Sequence, residues 1–190
     1  MITENAIAAI RGLFEKSVRE NIACISENNY EIRETMDGPV RFVAENRNLI
    51  ALNISSYMFR IVVLLDCYIH AATVEHLAKI LRIPDKKLEG EILSDAQGEF
   101  INLLCGAVNR NLCTEFRHVG MSTPFFLDIA CSSYVSILNP THAQSFEVAI
   151  NDLSLFKLTL CTCVGNGATL NFHMHRSEQN EASTGELELF

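Results

Sequence analysis

Polar residues recur at regular spacing in residues 94–111, a stretch that otherwise has the apolar content of a buried helix. They are separated by four, three, four and three positions: Asp95, Glu99, Asn102, Gly106 and Asn109. At about 100° per residue these positions fall within one arc of about 80°, and we refer to them as the polar stripe. The opposite arc carries apolar residues: Leu93, Ala96, Phe100, Leu103, Leu104, Ala107 and Val108. An amphipathic helix is therefore predicted, with its apolar face packed on another element and the polar stripe exposed.

Two other segments have helical spacing. Between Ile7 and Ile22 apolar side chains recur mostly every three or four positions, and Thr3 is placed to cap this helix. The segment AATVEHLAKILRI predicts a second, shorter helix that ends at Pro84. The helix that carries the polar stripe is predicted over residues 86–116.

The remaining apolar segments are rich in β-branched and aromatic residues, which favours strands. The predicted strands are PVRFVAE, NLIALNISS, MFRIVVLLDCYI, PFFLDIACSSYVSIL, QSFEVAIND, SLFKLTLCTCV and ATLNFHMH. Turn residues separate several of them, and Asp37-Gly38-Pro39 ends a polar stretch before the first. This order predicts an α+β fold, a mainly antiparallel sheet with long helices packed on one face. We expect one domain over residues 1–175 and a disordered tail over 176–190.

Charge and hydropathy limit the partners that we expect. The 190-residue chain has a formal net charge of −8, and its Lys and Arg residues do not cluster. Nucleic acid and anionic membranes both bind clustered positive charge, so neither is expected as the main partner. The N-terminal segment lacks the basic start of a signal peptide, and no apolar run is long enough to span a membrane. A cytoplasmic protein is therefore expected.

The residue types of the polar stripe differ from those of an ordinary solvated helix face, where Lys, Glu and Gln are common. Gly106 leaves room for another backbone to approach, an Asn side chain can orient a water molecule, and a carboxylate can pair with a cation. Hydrolysis of a partner's phosphoryl group needs the last two functions, because phosphoryl transfer depends mainly on positioning and charge stabilisation. A surface that merely faces solvent is the alternative interpretation.

The pattern Asp95-x-x-x-Glu99-x-x-Asn102, followed by Gly106 and by Pro124, resembles the signature of the CheC/CheX/FliY family of chemotaxis phosphatases. Twenty-one residues separate Asn102 from Pro124, close to the family's spacing. The resemblance covers residues 41–173, with a short helix before the motif helix and strands after it. Because the motif occurs once, the chain is most similar to the single-motif, CheX-like members.

This resemblance implies a CheC-like fold and a phosphatase that acts on a phosphorylated CheY-type response regulator. Glu99 would pair with the regulator's active-site lysine, and Asn102 would orient the water that attacks the aspartyl phosphate. Asp95, Gly106 and Pro124 would contribute to partner binding. The resemblance also implies a homodimer, Mg²⁺ that belongs to the regulator, and no cofactor of the chain's own.

The sequence leaves two other functions open. A noncatalytic module would dock a receiver or another signalling protein through the same helix face. A metal-binding domain would use Cys161, Cys163, His173 and His175, because each pair projects two ligands from one face of a strand. The spacing is not that of a zinc finger, so we expect core cysteines there and no metal site.

Three further interpretations concern the cysteines, Asp66 and Asn109. The seven cysteines lie mostly inside apolar runs without a CxxC pair, so reduced and buried thiols are expected. Asp66, inside IVVLLDCYI, is interpreted as the end of a strand, with a buried acid as the alternative. Asn109 lies on the arc of the polar stripe, but the family signature assigns it no role.

Overall fold

The computed structural model describes residues 1–22, 30–35, 47–84 and 88–174, without the side chains of residues 132–134. Its helices are α1 (Glu4–Ile22), α2 (Ala71–Leu81) and α3 (Gly90–Glu115). Its strands are β1 (Tyr30–Glu34), β2 (Arg47–Ser55), β3 (Phe59–Tyr68), β4 (Gly120–Met121), β5 (Phe125–Leu127), β6 (His142–Ile150) and β7 (Leu153–Val164). A 3₁₀ helix, Ile129–Leu138, follows β5.

The strands form one sheet in the order β1-β6-β7-β3-β2, and both short strands, β4 and β5, pair with β2. All of these pairs are antiparallel. Two of the connections are hairpins, between β2 and β3 and between β6 and β7. The expected antiparallel sheet is therefore confirmed.

The larger core lies between the three helices and one face of this sheet. Alternate residues of the strands point toward the helices, so Ile50 and Leu52 of β2 and Ile61 and Val63 of β3 are fully buried there. The opposite face carries a smaller apolar cluster, formed by Leu49, Ala51, Val62, Leu64 and Cys161 and partly covered by the 3₁₀ helix. The α+β fold with helices on one face is confirmed.

The helix ends depart from the prediction at one place. Thr3 caps α1 as expected, because its hydroxyl accepts a hydrogen bond from the backbone N–H of Ala6 at 3.3 Å. Helix α3 begins at Gly90 rather than near residue 86, since the backbone of Glu89 is extended. Residues 85–87, where that predicted helix starts, lie outside the described residues.

Two of the predicted strands are wrong for most of their length. PFFLDIACSSYVSIL forms only the three-residue β5, because the carboxylate of Asp128 accepts a hydrogen bond from the N–H of Ala130 and starts the 3₁₀ helix. Of ATLNFHMH, residues 168–174 are described, and they form only a bridge at Leu170, whose backbone bonds to Met1 and Thr3 rather than to the sheet.

Strand β1 was not predicted. It is a polar strand, and it pairs with β6 at the sheet edge, where only one side needs to be apolar. The predicted strand PVRFVAE, the turn at residues 37–39 and the tail 176–190 lie outside the described residues.

Candidate functional site

Hydrogen bonds on the inner side of α3 set its rotation about its own axis. The side-chain oxygen of Gln97, 2% exposed, accepts a hydrogen bond from the amide of Asn48 on β2 at 2.7 Å. The hydroxyl of Ser17 on α1 donates to the backbone carbonyl of Leu104 at 2.9 Å. The ring of Phe100 packs edge-on against Phe156 of β7. Because these contacts join α3 to the sheet and to α1, the opposite side of α3 is held outward.

The polar stripe lies on this outward side, as predicted. Asp95 and Glu99 are exposed, and Asn102, Gly106 and Asn109 are half-buried. Successive members of the stripe are one helical turn apart, so its polar groups form one row along a rigid element. Along this outward side, the two carboxylates lie nearer the N-terminus of α3, and the amides and the glycine lie nearer its C-terminus.

The prediction that Leu103 packs against the sheet is wrong. Its side chain is 39% exposed, beside the polar stripe, and Ile92, also on this side of α3, is 52% exposed. The buried arc is rotated toward Ile101 and Cys105, which are fully buried, because α1 covers that flank of the helix. The outward surface of α3 therefore combines apolar side chains with the polar stripe.

The space that a side chain of Gly106 would occupy is open except for the guanidinium of Arg110. A Cβ atom added to Gly106 would lie 3.7 Å from Nη1 of Arg110 and would meet no backbone. The guanidinium of Arg110 therefore lies over the bare backbone of Gly106, within the row of the polar stripe. Arg110 was not among the predicted site residues, although its spacing of four residues after Gly106 was a usable signal.

Asn109 and Pro124 differ from the rest of the predicted site. The side-chain oxygen of Asn109 is buried and has no hydrogen-bond partner among the described residues. Pro124 is half-buried at the sheet edge, in the segment that leads from β4 into β5. Helix α3 contacts β4, which precedes Pro124 in the chain. Pro124 itself lies outside α3 and does not belong to the polar stripe.

The four candidate metal ligands do not share one face of the fold. Cys161 lies in the small apolar cluster on the sheet face opposite the helices, and Cys163 is on the same side. His173 lies at the start of α1, where its Nε2 is 3.4 Å from the amide nitrogen of Asn5. His175 lies outside the described residues, within which no group of three potential ligands is close enough to hold a metal ion.

The thiols follow the prediction only in part. Cys67, Cys105 and Cys161 are buried, and burial raises the pKa of the Cys67 and Cys105 thiols. Cys113 and Cys131 are exposed, contrary to the prediction, because they lie on the outer side of α3 and on the 3₁₀ helix. No disulfide joins two of the described cysteines, and Cys24 lies outside the described residues.

Asp66 is a buried acid, not merely the end of a strand. It is 8% exposed, and one carboxylate oxygen accepts a hydrogen bond from Nη1 of Arg47 at 3.0 Å. The other oxygen is buried without a partner among the described residues. Burial raises the pKa of Asp66, while the nearby charge and hydrogen bond of Arg47 oppose this rise. Asp66 is on the sheet face opposite α3, so it does not belong to the polar stripe.

Two cavities lie away from the polar stripe. One, of about 20 Å³, lies between α2, α3 and the sheet, and the other, of about 370 Å³, lies under the 3₁₀ helix. Neither is lined by a member of the stripe. Across the described ranges, no helix combines the length and the apolar content that a membrane span requires.

The fold resembles that of several solved chemotaxis proteins. A chain of the CheX-CheY-BeF₃-Mg²⁺ complex from Borrelia burgdorferi superposes with a TM-score of 0.57 at 11% identity, over 85% of this chain and 99% of that one. A CheC-like chemotactic protein from Shewanella oneidensis gives 0.56 at 14% identity, over 83% and 97%. CheX from Vibrio vulnificus gives 0.55 at 12% identity, over 80% and 98%. The sequence matches no protein-family model and no curated protein. The chain therefore has the predicted CheC-like fold.

Proposed function

We propose that this chain is a CheX-like phosphatase that removes the phosphoryl group from the aspartyl phosphate of a CheY-type response regulator, in chemotaxis or another two-component pathway. The observation that carries the proposal is the outward row formed by Glu99 and Asn102 on α3, whose rotation is held by hydrogen bonds on its inner side. Chemotaxis proteins of the same fold support it, and one of them is in a complex with CheY.

In this proposal Glu99 forms an ion pair with the regulator's active-site lysine and so fixes the regulator on α3. Glu99 suits this role because it is exposed and makes no ion pair with the described residues. Asp95, one turn earlier, and Gly106, two turns later, belong to the same contact surface. Pro124 is proposed to support partner binding from the sheet edge.

Asn102 orients the attacking water. The amide both donates and accepts hydrogen bonds, so it can hold a water molecule in line with the bond that breaks. The water oxygen bonds to phosphorus, the bond between phosphorus and the aspartyl oxygen breaks, and the water loses a proton to solvent. The products are inorganic phosphate and the regulator's free carboxylate. Mg²⁺ is proposed to belong to the regulator, and no cofactor of this chain takes part.

A noncatalytic receiver-binding module is the second candidate, and exposed Leu103 beside the polar stripe favours it. Apolar contacts at the edge of a polar surface strengthen docking without contributing to hydrolysis. This candidate predicts saturable binding of a receiver with no acceleration of phosphate loss.

The proposal also includes a cytoplasmic location and a homodimer joined at a sheet edge. Phe126 of β5 is 46% exposed, and the described residues place no strand beyond β5. Sedimentation of the purified chain tests the dimer, and a purely monomeric species at micromolar concentration would contradict it.

The phosphatase assignment is tested by dephosphorylation of a purified CheY-type receiver labelled with acetyl phosphate. We expect Glu99→Ala and Asn102→Ala each to lower the rate constant by about 100-fold or more, because each removes a group that acts on the reacting centre or holds it in place. Glu91→Ala is the matched control, since it removes an exposed carboxylate from the first turn of the same helix.

Equal rates for the wild type and both site variants would contradict the catalytic assignment. Unchanged phosphate loss with tight receiver binding would favour the noncatalytic module instead. Helix content measured by circular dichroism establishes that the variants are folded.

A further inference from the structure

Arg110 is the only Lys or Arg in the sequence of α3, and its Cα lies beside the polar stripe, about 40° around the helix from Gly106. Its side chain is exposed, and Nη1 lies over Gly106, one turn toward the helix N-terminus. Long side chains on a helix lean in this direction, so the guanidinium extends over Gly106, where an added Cβ would still be at ordinary contact distance from Nη1. Along the helix axis, the guanidinium therefore lies between the Cα atom of Arg110 and Asn102.

Within the described residues, neither an ion pair nor the helix dipole explains where the Arg110 guanidinium lies. Arg110 forms no ion pair within residues 1–22, 30–35, 47–84 and 88–174. It also lies before the last turn of α3, which contains no basic residue, so compensation of the helix dipole does not explain it. An exposed guanidinium with its donors available is suited to bind a carboxylate or phosphate in two-point geometry.

We propose that Arg110 is a further catalytic residue, which donates hydrogen bonds to the phosphoryl oxygens of the regulator during transfer. This inference rests on the proposed phosphatase function. The rise of about 1.5 Å per residue places Gly106, and with it the guanidinium, about 6 Å along the axis from Asn102. A phosphoryl group is small enough to lie between the water held by Asn102 and the guanidinium over Gly106.

Arg110 acts through charge and keeps its protons throughout. The transferring phosphoryl group carries negative charge on its three outer oxygens, and stabilisation of that charge is, with positioning, what the reaction mainly requires. The bonds that form and break are those between phosphorus and the water oxygen and between phosphorus and the aspartyl oxygen. Arg110 therefore complements Glu99: the acidic end of the row meets the regulator's lysine, and the basic end meets its phosphoryl group.

The test compares the wild type with Arg110→Gln and Arg110→Lys on a labelled receiver that the wild type dephosphorylates. We expect Arg110→Gln to lower kcat about 10- to 100-fold with a smaller change in KM, because the contact strengthens as charge develops. Arg110→Lys keeps the charge but loses the planar fork, so it should recover only part of the rate. Arg117→Gln removes an exposed arginine outside α3 and serves as the matched control.

A second measurement separates phosphoryl binding from general docking. Affinity is measured for the receiver with and without bound beryllofluoride, a mimic of its phosphoryl group. Loss of a phosphoryl contact weakens binding of Arg110→Gln to the beryllofluoride form by at least about tenfold more than binding to the free form.

Three outcomes decide the matter. If Arg110→Gln matches the wild type in kcat while Asn102→Ala is inactive, the role of Arg110 is overturned and the phosphatase function stands. If Arg110→Gln weakens both receiver forms equally, Arg110 is a docking residue and the catalytic role is likewise overturned. If the wild type accelerates phosphate loss from no receiver, the proposed function itself fails.

Discussion

Gly106 occupies a helix position at which alanine would be more stable. Glycine in the middle of a helix costs about 1 kcal/mol relative to alanine, and Gly106 has no left-handed backbone that would require it. Within the described chain, a methyl group there would make only an ordinary contact with Arg110. The lack of a side chain at Gly106 is therefore better explained by what approaches α3 from outside.

Gly106→Ala should accordingly stabilise the protein and weaken its function. We expect unfolding free energy to rise by up to about 1 kcal/mol, because the helix gains propensity. Receiver affinity should fall about tenfold, since the methyl group enters a close contact. Thermal denaturation and receiver titration measure the two effects. Gly98→Ala is the control, because Gly98 is a buried glycine of the same helix and its added Cβ meets nothing within 4 Å.

If Gly106→Ala gains stability and binds the receiver as well as the wild type, the glycine is incidental. If Gly98→Ala also loses affinity, the loss comes from the change in helix propensity and not from the added methyl group.

At the scale of elements, α3 joins two surfaces with different requirements. Leu104 is fully buried against the sheet and α1, whereas its neighbour Leu103 is 39% exposed. The two side chains have the same chemistry and differ in environment alone. They therefore allow the packing surface and the proposed docking surface of one helix to be tested separately.

Leu104→Ala should destabilise the fold by about 2–5 kcal/mol, because it leaves a cavity in the core. Leu103→Ala should cost less than about 1 kcal/mol and instead weaken receiver binding. Urea denaturation gives the first quantity and titration with a receiver the second. A large loss of stability in Leu103→Ala would show that the exposed leucine supports the fold and not a partner.

The sequence predicted the elements whose patterns arise from burial. Helix α3, strands β2 and β3 and the mainly antiparallel sheet follow from apolar spacing, residue type and turn residues. The small rotation of α3 that exposes Leu103 could not be predicted, because it depends on Gln97 and Ser17, whose partners are distant in sequence. The same holds for β1, which is defined by its pairing with β6 more than by its own residues.

Within the candidate site, the spacing of Asp95, Glu99, Asn102 and Gly106 was enough to place them in one outward row. Arg110 was missed because the amphipathic pattern treats any charged residue on the outer side as solvated. Its relation to Gly106 became visible only through the direction of its side chain.

At the scale of the whole molecule, the sheet separates the proposed site from a buried charge. Asp66 lies on the face opposite α3, in an ion pair with Arg47 whose guanidinium also stacks on the ring of Tyr68 at 4.3 Å. Because burial raises its pKa, the folded chain holds a proton on Asp66 more tightly than the unfolded chain does. Ionised Asp66 therefore reduces stability relative to its protonated form.

The sign of this effect gives a pH-dependent prediction. The contribution of Asp66 is fully present below the ordinary value of 3.8 and is lost as the pH rises through its raised folded pKa. Asp66→Asn keeps the site neutral, so the variant should be more stable than the wild type at pH 7, and the difference should shrink toward pH 3. Urea denaturation across this range measures it. A variant less stable at pH 7 would mean that the ion pair with Arg47 outweighs burial.

The polar stripe lies on the convex outside of a helix, and neither cavity described above reaches it. A convex surface cannot enclose a small molecule, so the proposed chemistry requires a concave partner that closes over the stripe. For the proposed phosphatase, we therefore expect selectivity to come from shape. Neither cavity described above encloses the stripe, so a free acyl phosphate in solution should be left intact, whereas an acyl phosphate at the base of a receiver's pocket should be matched by the protruding helix.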